Sequence, residues 1–362
     1  MSIILSVLDG NRRDIARLLT EVENETASGR EALDLLYPHA GNAHLVGITG
    51  APGTGKSSLV TQIILKYRQS IHKAASEQDS NLPQIAVVAV DPSSPFTGGA
   101  ILGDRIRMTE LAGDKGVFIR SMATRGSLGG LASATAGASL VLDAAGFDIV
   151  IIETVGAGQA EVDIAKLAHT TIVVESPGLG DDIQAIKAGI LEIADILVIN
   201  KADLPGVEAT EKALRGMLQL VYPGGNHFVS HHGKIMASFQ ENLGLVNKDD
   251  LYKSEINVES EPEIRWVPPV LRTVATNGDG VSDLVDLINN HRVFLEKSGK
   301  WIQRDRLRVE SEVMTLLKNS LIAKWAESVD EKYYNEILEA VYQRNLSPLK
   351  AVDILIGNFI NK

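Results

Sequence analysis

The chain has 362 residues, no cysteine, 44% hydrophobic residues and a formal net charge of -11, with a mean hydropathy of +0.05. That length accommodates two or three domains around a large core, and the missing cysteines exclude disulfides and thiolate metal sites and fit a reducing cytoplasm. The acidic balance argues against a nucleic-acid partner, which needs a basic face, and no apolar run reaches the roughly 18 residues of a membrane span.

MSIILSVLDGNRRDIARLL lacks the charged lead and cleavage site of a secretory signal, and Asp9 and Asp14 argue against an organelle-targeting segment. A cytoplasmic protein is expected. Residues 1–43 read as a helical extension: Ile15, Leu18, Leu19 and Val22 follow the spacing of one buried helix face. Ser28 and Glu31 have capping-box spacing and predict the start of a second helix, stopped near Pro38.

From His44 the pattern changes to short apolar, β-branched runs: LVGIT, IAVVAV, VFIR, DIVIIE, TIVVE, ILVIN and VLRTV. Helix-like segments separate most of them, and the runs lack polar alternation. This predicts an α/β domain over 44–292, with a mainly parallel sheet covered by helices on both faces. The rhythm breaks at an insertion of about 224–264 that has no clean period. Residues 293–362 turn helical again, with Tyr334, Ile337, Leu338, Val341 and Tyr342 on one stripe. Ser347-Pro348 reads as an N-cap followed by proline at the first helical position. These apolar faces predict packing on the core or on another subunit.

The first strand runs into Gly50, Ala51, Pro52, Gly53, Thr54, Gly55, Lys56, Ser57 and Ser58, a full match to GxxxxGK[ST] between a strand and a helix. Glycines let backbone N–H groups turn onto phosphate oxygens, and the helix N-terminus adds positive potential. Lys56 is expected at the β- and γ-phosphates, and the Ser57 hydroxyl on Mg²⁺.

ILVINKAD places Asn200, Lys201 and Asp203 at a strand end. A carboxylate at 203 can accept from guanine N1–H and the N2 amino group, an edge adenine lacks; Asn200 would shape the loop and the Lys201 stem would lie along the ring. The backbone of Ala275, Thr276 and Asn277 is expected to complete the base pocket. In DIVIIETVGAGQ, Glu153 ends a buried strand and Gly156 follows three residues later, the positions of a Mg²⁺-side acid and a γ-phosphate sensor. Gln159 suits water positioning and equally a solvated helix start. Asp91 and Asp104 are further Mg²⁺-side acids, and Asp91 suits a helix or turn cap as well.

GAPGTGKSS, VDPSSPFTGGAILGDRIRM, RGSLGGLA, ETVGAGQAEVD and PGLGDDIQAIKAGILEIADILVINKAD resemble the MeaB/ArgK family of P-loop GTPases. The resemblance extends from the N-terminal helices through WIQRDRLRVE. It implies a GTP- and Mg²⁺-dependent G protein that chaperones an adenosylcobalamin-dependent acyl-CoA mutase of the methylmalonyl-CoA mutase type, gating cofactor loading and protecting the enzyme. It also implies homodimerisation through the C-terminal helices, and a mobile partner-facing segment at Pro177–Gly189. From the residues alone, Asp181 and Asp182 read as a helix N-cap pair. The stretch from Gly224 to Glu263 departs from the family pattern.

Three rivals share the phosphate loop. A P-loop kinase of the amino-acid transport type has little use for guanine selectivity. A nickel metallochaperone GTPase needs imidazole or thiolate ligands, for which His227, His231 and His232 are the candidates. A GTP-binding scaffold would hydrolyse negligibly. No motif places Arg105, Arg107 or Arg125 as a cis finger, so slow intrinsic turnover, raised by a partner, is expected.

Overall fold

The computed structural model describes residues 2–69, 82–91, 108–111, 113–123, 130–154, 160–178, 192–222 and 265–360. Its centre is a seven-stranded sheet in the order β3-β2-β4-β1-β5-β6-β7. The strands are β1 (His44–Thr49), β2 (Ile85–Asp91), β3 (Val117–Ala123), β4 (Ile149–Thr154), β5 (Thr170–Glu175), β6 (Ile196–Ile199) and β7 (Val270–Arg272). Every pairing is parallel, so all strand C-termini meet at one edge, which is where such sheets place their ligands.

Alternate residues of each strand face opposite layers. Ala86, Val88, Val90, Val150 and Ile152 pack beneath the N-terminal helices α1 (Ser2–Leu8), α2 (Arg12–Glu23) and α3 (Ala27–Leu36), together with α5 (Gly130–Ala144) and α6 (Ala160–Leu167). The opposite residues, Val46, Ile48, Val87, Ile149, Ile151, Ile172 and Val174, pack against α4 (Lys56–Gln69) and α8 (Val281–Lys297). A third group joins Val173, Leu197 and Ile199 to α7 (Val207–Val221). Burial on both faces explains why these strands read as unbroken apolar runs.

The predicted stripe of α2 is buried as expected at Ile15, Leu18, Leu19 and Val22. The next helix starts earlier than its capping box suggests. Thr26 is the N-cap, accepting from the Gly29 N–H at 3.0 Å, while the Ser28 hydroxyl donates to Glu21 Oε2 at 3.0 Å. A tertiary acceptor on α2 outweighed the local pattern. Asp143 of α5 then accepts from the N–H groups of Gly41, Asn42 and Ala43, which fixes the chain's entry into β1.

Helix α8 runs through Arg292 to Lys297. Beyond it follow α9 (Lys300–Ser328), α10 (Glu331–Tyr342) and α11 (Pro348–Ile360). Ser347 Oγ accepts from the Lys350 N–H at 3.3 Å, the cap expected before Pro348. Helices α9 and α10 have no buried residue; Val313, Leu317, Leu321, Ile322, Leu338 and Tyr342 are exposed. The insertion at about 224–264 lies outside the described residues, as do His227, His231 and His232.

Where α9 begins, it docks on the N-terminal edge of the sheet through a polar network. Arg304 donates to both Asp195 oxygens at 2.8 and 2.7 Å and to the His169 carbonyl. His44 Nε2 and His291 Nδ1 lie 2.7 and 2.9 Å from the Thr170 hydroxyl, and His291 Nε2 faces Asp195 Oδ1 at 3.4 Å. Burial lowers the pKa of His44 and His169 and brings that of His291 down to about 4; Asp195 opposes this, while Arg304 and His169 reinforce it. A native pKa below the unfolded one means that the unfolded chain binds more protons as pH falls, so this stability is complete above the ordinary value of 6.5 and is lost towards 4. Thermal melts should therefore be flat near neutrality and fall through this window. In His291→Gln the midpoint should start lower and decline less steeply with acid; parallel profiles would contradict the assignment.

Candidate functional site

The phosphate-loop sequence leaves β1 at the centre of the sheet, between β4 and β5. Gly50 has φ +138°, and a Cβ there would lie 2.0 Å from the Val174 carbonyl oxygen of β5. Only glycine lets the loop turn this close to its neighbour. Lys56 opens α4, and its ammonium donates to the Gly50 and Ala51 carbonyls at 2.7 and 2.9 Å. Thr54 Oγ1 donates to the Ala51 carbonyl at 3.0 Å.

Glu153 sits opposite Ile48 in the register, and strand alternation puts it on the same face as Ile149 and Ile151, the side of α4. There it accepts from the Ser57 hydroxyl at 2.6 Å, both side chains being buried. The two residues expected on the cation are thus adjacent, and a hydroxyl with a carboxylate is the hard-oxygen chemistry that magnesium takes. Below them the Thr154 hydroxyl donates to Thr49 Oγ1 at 3.1 Å.

Asn200 follows β6 and is fully enclosed. Its Nδ2 donates to the Thr54 carbonyl at 2.8 Å, while its Oδ1 accepts from the Thr273 hydroxyl at 3.1 Å and the Ala275 N–H at 3.0 Å. One amide therefore joins the phosphate loop, the NKxD loop and the segment after β7. Lys201 adopts φ +58° and donates to the Gly53 carbonyl at 2.7 Å, laying its stem across the mouth of the loop. Asp203 stands exposed in the following turn, and Thr276 and Asn277 are exposed in the segment after β7. Asn277 Nδ2 donates to Asp279 Oδ2 at 2.8 Å.

The structure thus brings together Gly50–Ser58, Glu153, Asn200, Lys201 and Ala275, with Asp203 in the turn after Lys201 and Thr276 and Asn277 following Ala275. Asp91 ends β2, but its side chain lies outside the described residues, as do Asp104, Gly156, Gln159, Asp181, Asp182, Arg105, Arg107 and Arg125. Sequence reasoning missed Thr273. Its signal was weak: a hydroxyl at the end of an apolar run, two residues before the backbone expected at the base.

The chain matches the family described as "Methylmalonyl Co-A mutase-associated GTPase MeaB" over residues 15–330. It is 44% identical over 351 residues to a candidate GTPase of Pyrococcus abyssi, covering 97% of this chain and 94% of that protein. It is 32% identical over 348 residues to the GTPase ArgK of Escherichia coli, covering 94% and 90%. A crystal structure titled as a LAO/AO transport system kinase shares the fold, with TM-score 0.62 at 24% identity, covering 100% of this chain and 97% of that one.

Asn200→Ala removes three buried hydrogen bonds and strands the Thr54 carbonyl and the Ala275 N–H, each worth about 1–3 kcal/mol. Denaturant unfolding should show a loss of at least about 2 kcal/mol, with guanine-nucleotide affinity falling about tenfold or more. Gly55→Ala, whose Cβ would meet Asn200 Nδ2 at 2.5 Å with φ +89°, should reproduce the affinity loss; a native-like titration would contradict the clamp. The near full-length match and these relatives together show that the chain is a GTPase and belongs to the MeaB family.

Proposed function

We propose that this GTPase uses its nucleotide state to gate cofactor loading and protection of an adenosylcobalamin-dependent acyl-CoA mutase. The family's description as mutase-associated supports the partner. The mouse relative named "Methylmalonic aciduria type A homolog, mitochondrial", 30% identical over 87% of this chain and 65% of that protein, supports the same metabolic setting.

The observation that carries the nucleotide reading is the Asn200 amide, which fixes phosphate loop and base loop to each other at hydrogen-bond distances. In this reading the loop amides of Gly50–Gly55 and the Lys56 ammonium bind the β- and γ-phosphates. Asp203 reads the guanine edge, with the Lys201 stem along the ring and Ala275–Asn277 closing the pocket. Ser57 and Glu153, together with Asp91 and Asp104, would hold magnesium, which when bound would supply positive charge to the phosphates. Gly156 senses the γ-phosphate and Gln159 orients the attacking water. The guanine-reading carboxylate favours GTPase over a kinase, whose phosphate chemistry needs no base selectivity.

The C-terminal helices serve homodimerisation in this reading. What supports it is the exposure of Val313, Leu317, Leu321 and Ile322 on α9 and of Leu338 and Tyr342 on α10, large apolar side chains of the kind that a partner surface covers.

Two measurements test the proposal. Asp203→Asn should weaken GTP and strengthen xanthosine triphosphate binding, each by about tenfold or more; an unchanged preference would overturn the guanine assignment. GTP hydrolysis should accelerate about tenfold, about 1.4 kcal/mol of barrier, on adding the mutase of the same organism, and a rate indifferent to every such mutase would refute the chaperone role.

A further inference from the structure

The two segments read above as the base pocket come from distant parts of the chain. Asp203 stands in the turn that leads through Pro205 and Gly206 into α7, whereas Ala275–Asn277 lie just beyond β7. Residues 222–269 intervene between α7 and β7, so chain connectivity does not set one against the other. Strand β7 has only 3 residues and stands at the end of the sheet order, paired with β6. The loop that leaves it turns straight back: the Val274 N–H donates to the Asp279 carbonyl at 3.0 Å, and a Cβ on Gly280 would lie 2.2 Å from the Arg272 carbonyl oxygen. Arg272 therefore sits at the neck of the loop that carries Ala275–Asn277.

A carboxylate on α7 reaches across to that neck. Glu208, Glu211 and Arg215 are spaced to share one face of the helix, next to the face that buries Val207, Thr210, Leu214 and Leu218. Glu211 Oε2 accepts from Arg272 Nε at 2.6 Å, and its Oε1 accepts from Arg215 Nε at 2.8 Å. Arg215 Nη2 in turn donates to the Val270 carbonyl at 3.4 Å, so both ends of β7 are tied to one glutamate. Burial alone would raise the pKa of the Glu211 carboxyl; the two guanidinium groups outweigh it and hold it below its usual range. Glu208 is exposed and stands further off, 3.5 Å from Arg272. Exposed ion pairs hold little, but the Glu211 side chain is only 18% exposed and each of its oxygens takes its own arginine. The apolar contacts of Leu214, Leu218 and Val270 keep α7 on the sheet without direction along it. Charge-assisted hydrogen bonds supply that direction.

We propose that Glu211 is a positioning residue for guanine recognition, setting the Asp203 turn at the head of α7 against the segment that leaves β7. The inference rests on the guanine reading above and adds to it a residue that belongs to neither motif. Asn200 joins the two segments at their buried end, through the Ala275 N–H. Glu211 joins them at the outer edge of the sheet, through Arg272. Hydrogen bonds weaken steeply as their angles open, so a carboxylate that reads a base edge through two of them loses discrimination when its support shifts.

The test titrates the full chain with GDP and with inosine diphosphate, which lacks the exocyclic amino group, alongside kcat at saturating GTP and thermal melts. The native protein should prefer GDP by about tenfold or more. Two variants break the clamp: Glu211→Gln keeps the size and removes the charge, and Arg272→Gln changes a side chain that is 44% exposed, where folding is tolerant. Each should weaken GDP binding by about fivefold or more and shrink the preference to about threefold or less, with kcat within about twofold of native. The double variant should lose no more than either single one, the sign of a shared contact. A clamp that served stability alone would lower the melting midpoint and leave the GDP preference intact; that result overturns the proposal, as does an additive loss in the double variant. No preference for GDP in the native protein would instead overturn the guanine reading, and the positioning role with it.

Discussion

The Asn200 amide is the interaction on which the site depends. A phosphate loop and a base loop come from strand ends that are not adjacent in sequence, and neither has a core of its own. Asn200 donates to one and accepts from the segment that closes the other. Buried as it is, such an amide is costly unless satisfied and rigid once it is. The glycine at 55 follows from it, because the amide occupies the place a side chain would need. Lys201, held at positive φ to reach the Gly53 carbonyl, is a second local strain accepted for the same end.

The two edges of the sheet divide the labour. The C-terminal edge holds backbone turns and oxygen donors, with Ser57 and Glu153 in direct contact. The N-terminal edge holds three buried imidazoles and seats α9 through the Asp195–Arg304 pair, the Asp305–His169 pair and the His169–Trp301 stack. A buried polar network of this kind adds less to stability than apolar packing of equal volume, but tolerates few alternative arrangements. That suits a long helix whose own outward face is apolar and whose position on the domain must be unique.

Most of the sheet was legible. Seven apolar runs read as strands because burial on both faces requires every residue to be apolar, and the alternating helices require parallel pairing. Helix α2 was legible from four residues at one spacing. The start of α3 was not, because the glutamate that engages Ser28 lies on the preceding helix and no local pattern announces it. The roles of His44, His169 and His291 were equally invisible: each is a lone histidine in its own segment, and only the strand order places them within one network.

By itself the sequence determined the chemistry available at the site. A GxxxxGK[ST] loop, an NKxD loop and an acid ending a buried strand each carry their function in short-range covalent spacing, which folding cannot alter. Only the tertiary structure decided how these parts are held and what they touch. The parallel register put Glu153 on the α4 face, the crossover connections brought Thr273 under Asn200, and the turn at Ser298-Gly299 folded α9 back onto His169. Those outcomes depend on long-range packing and on which buried polar groups find partners, and neither is written in any local stretch of the chain.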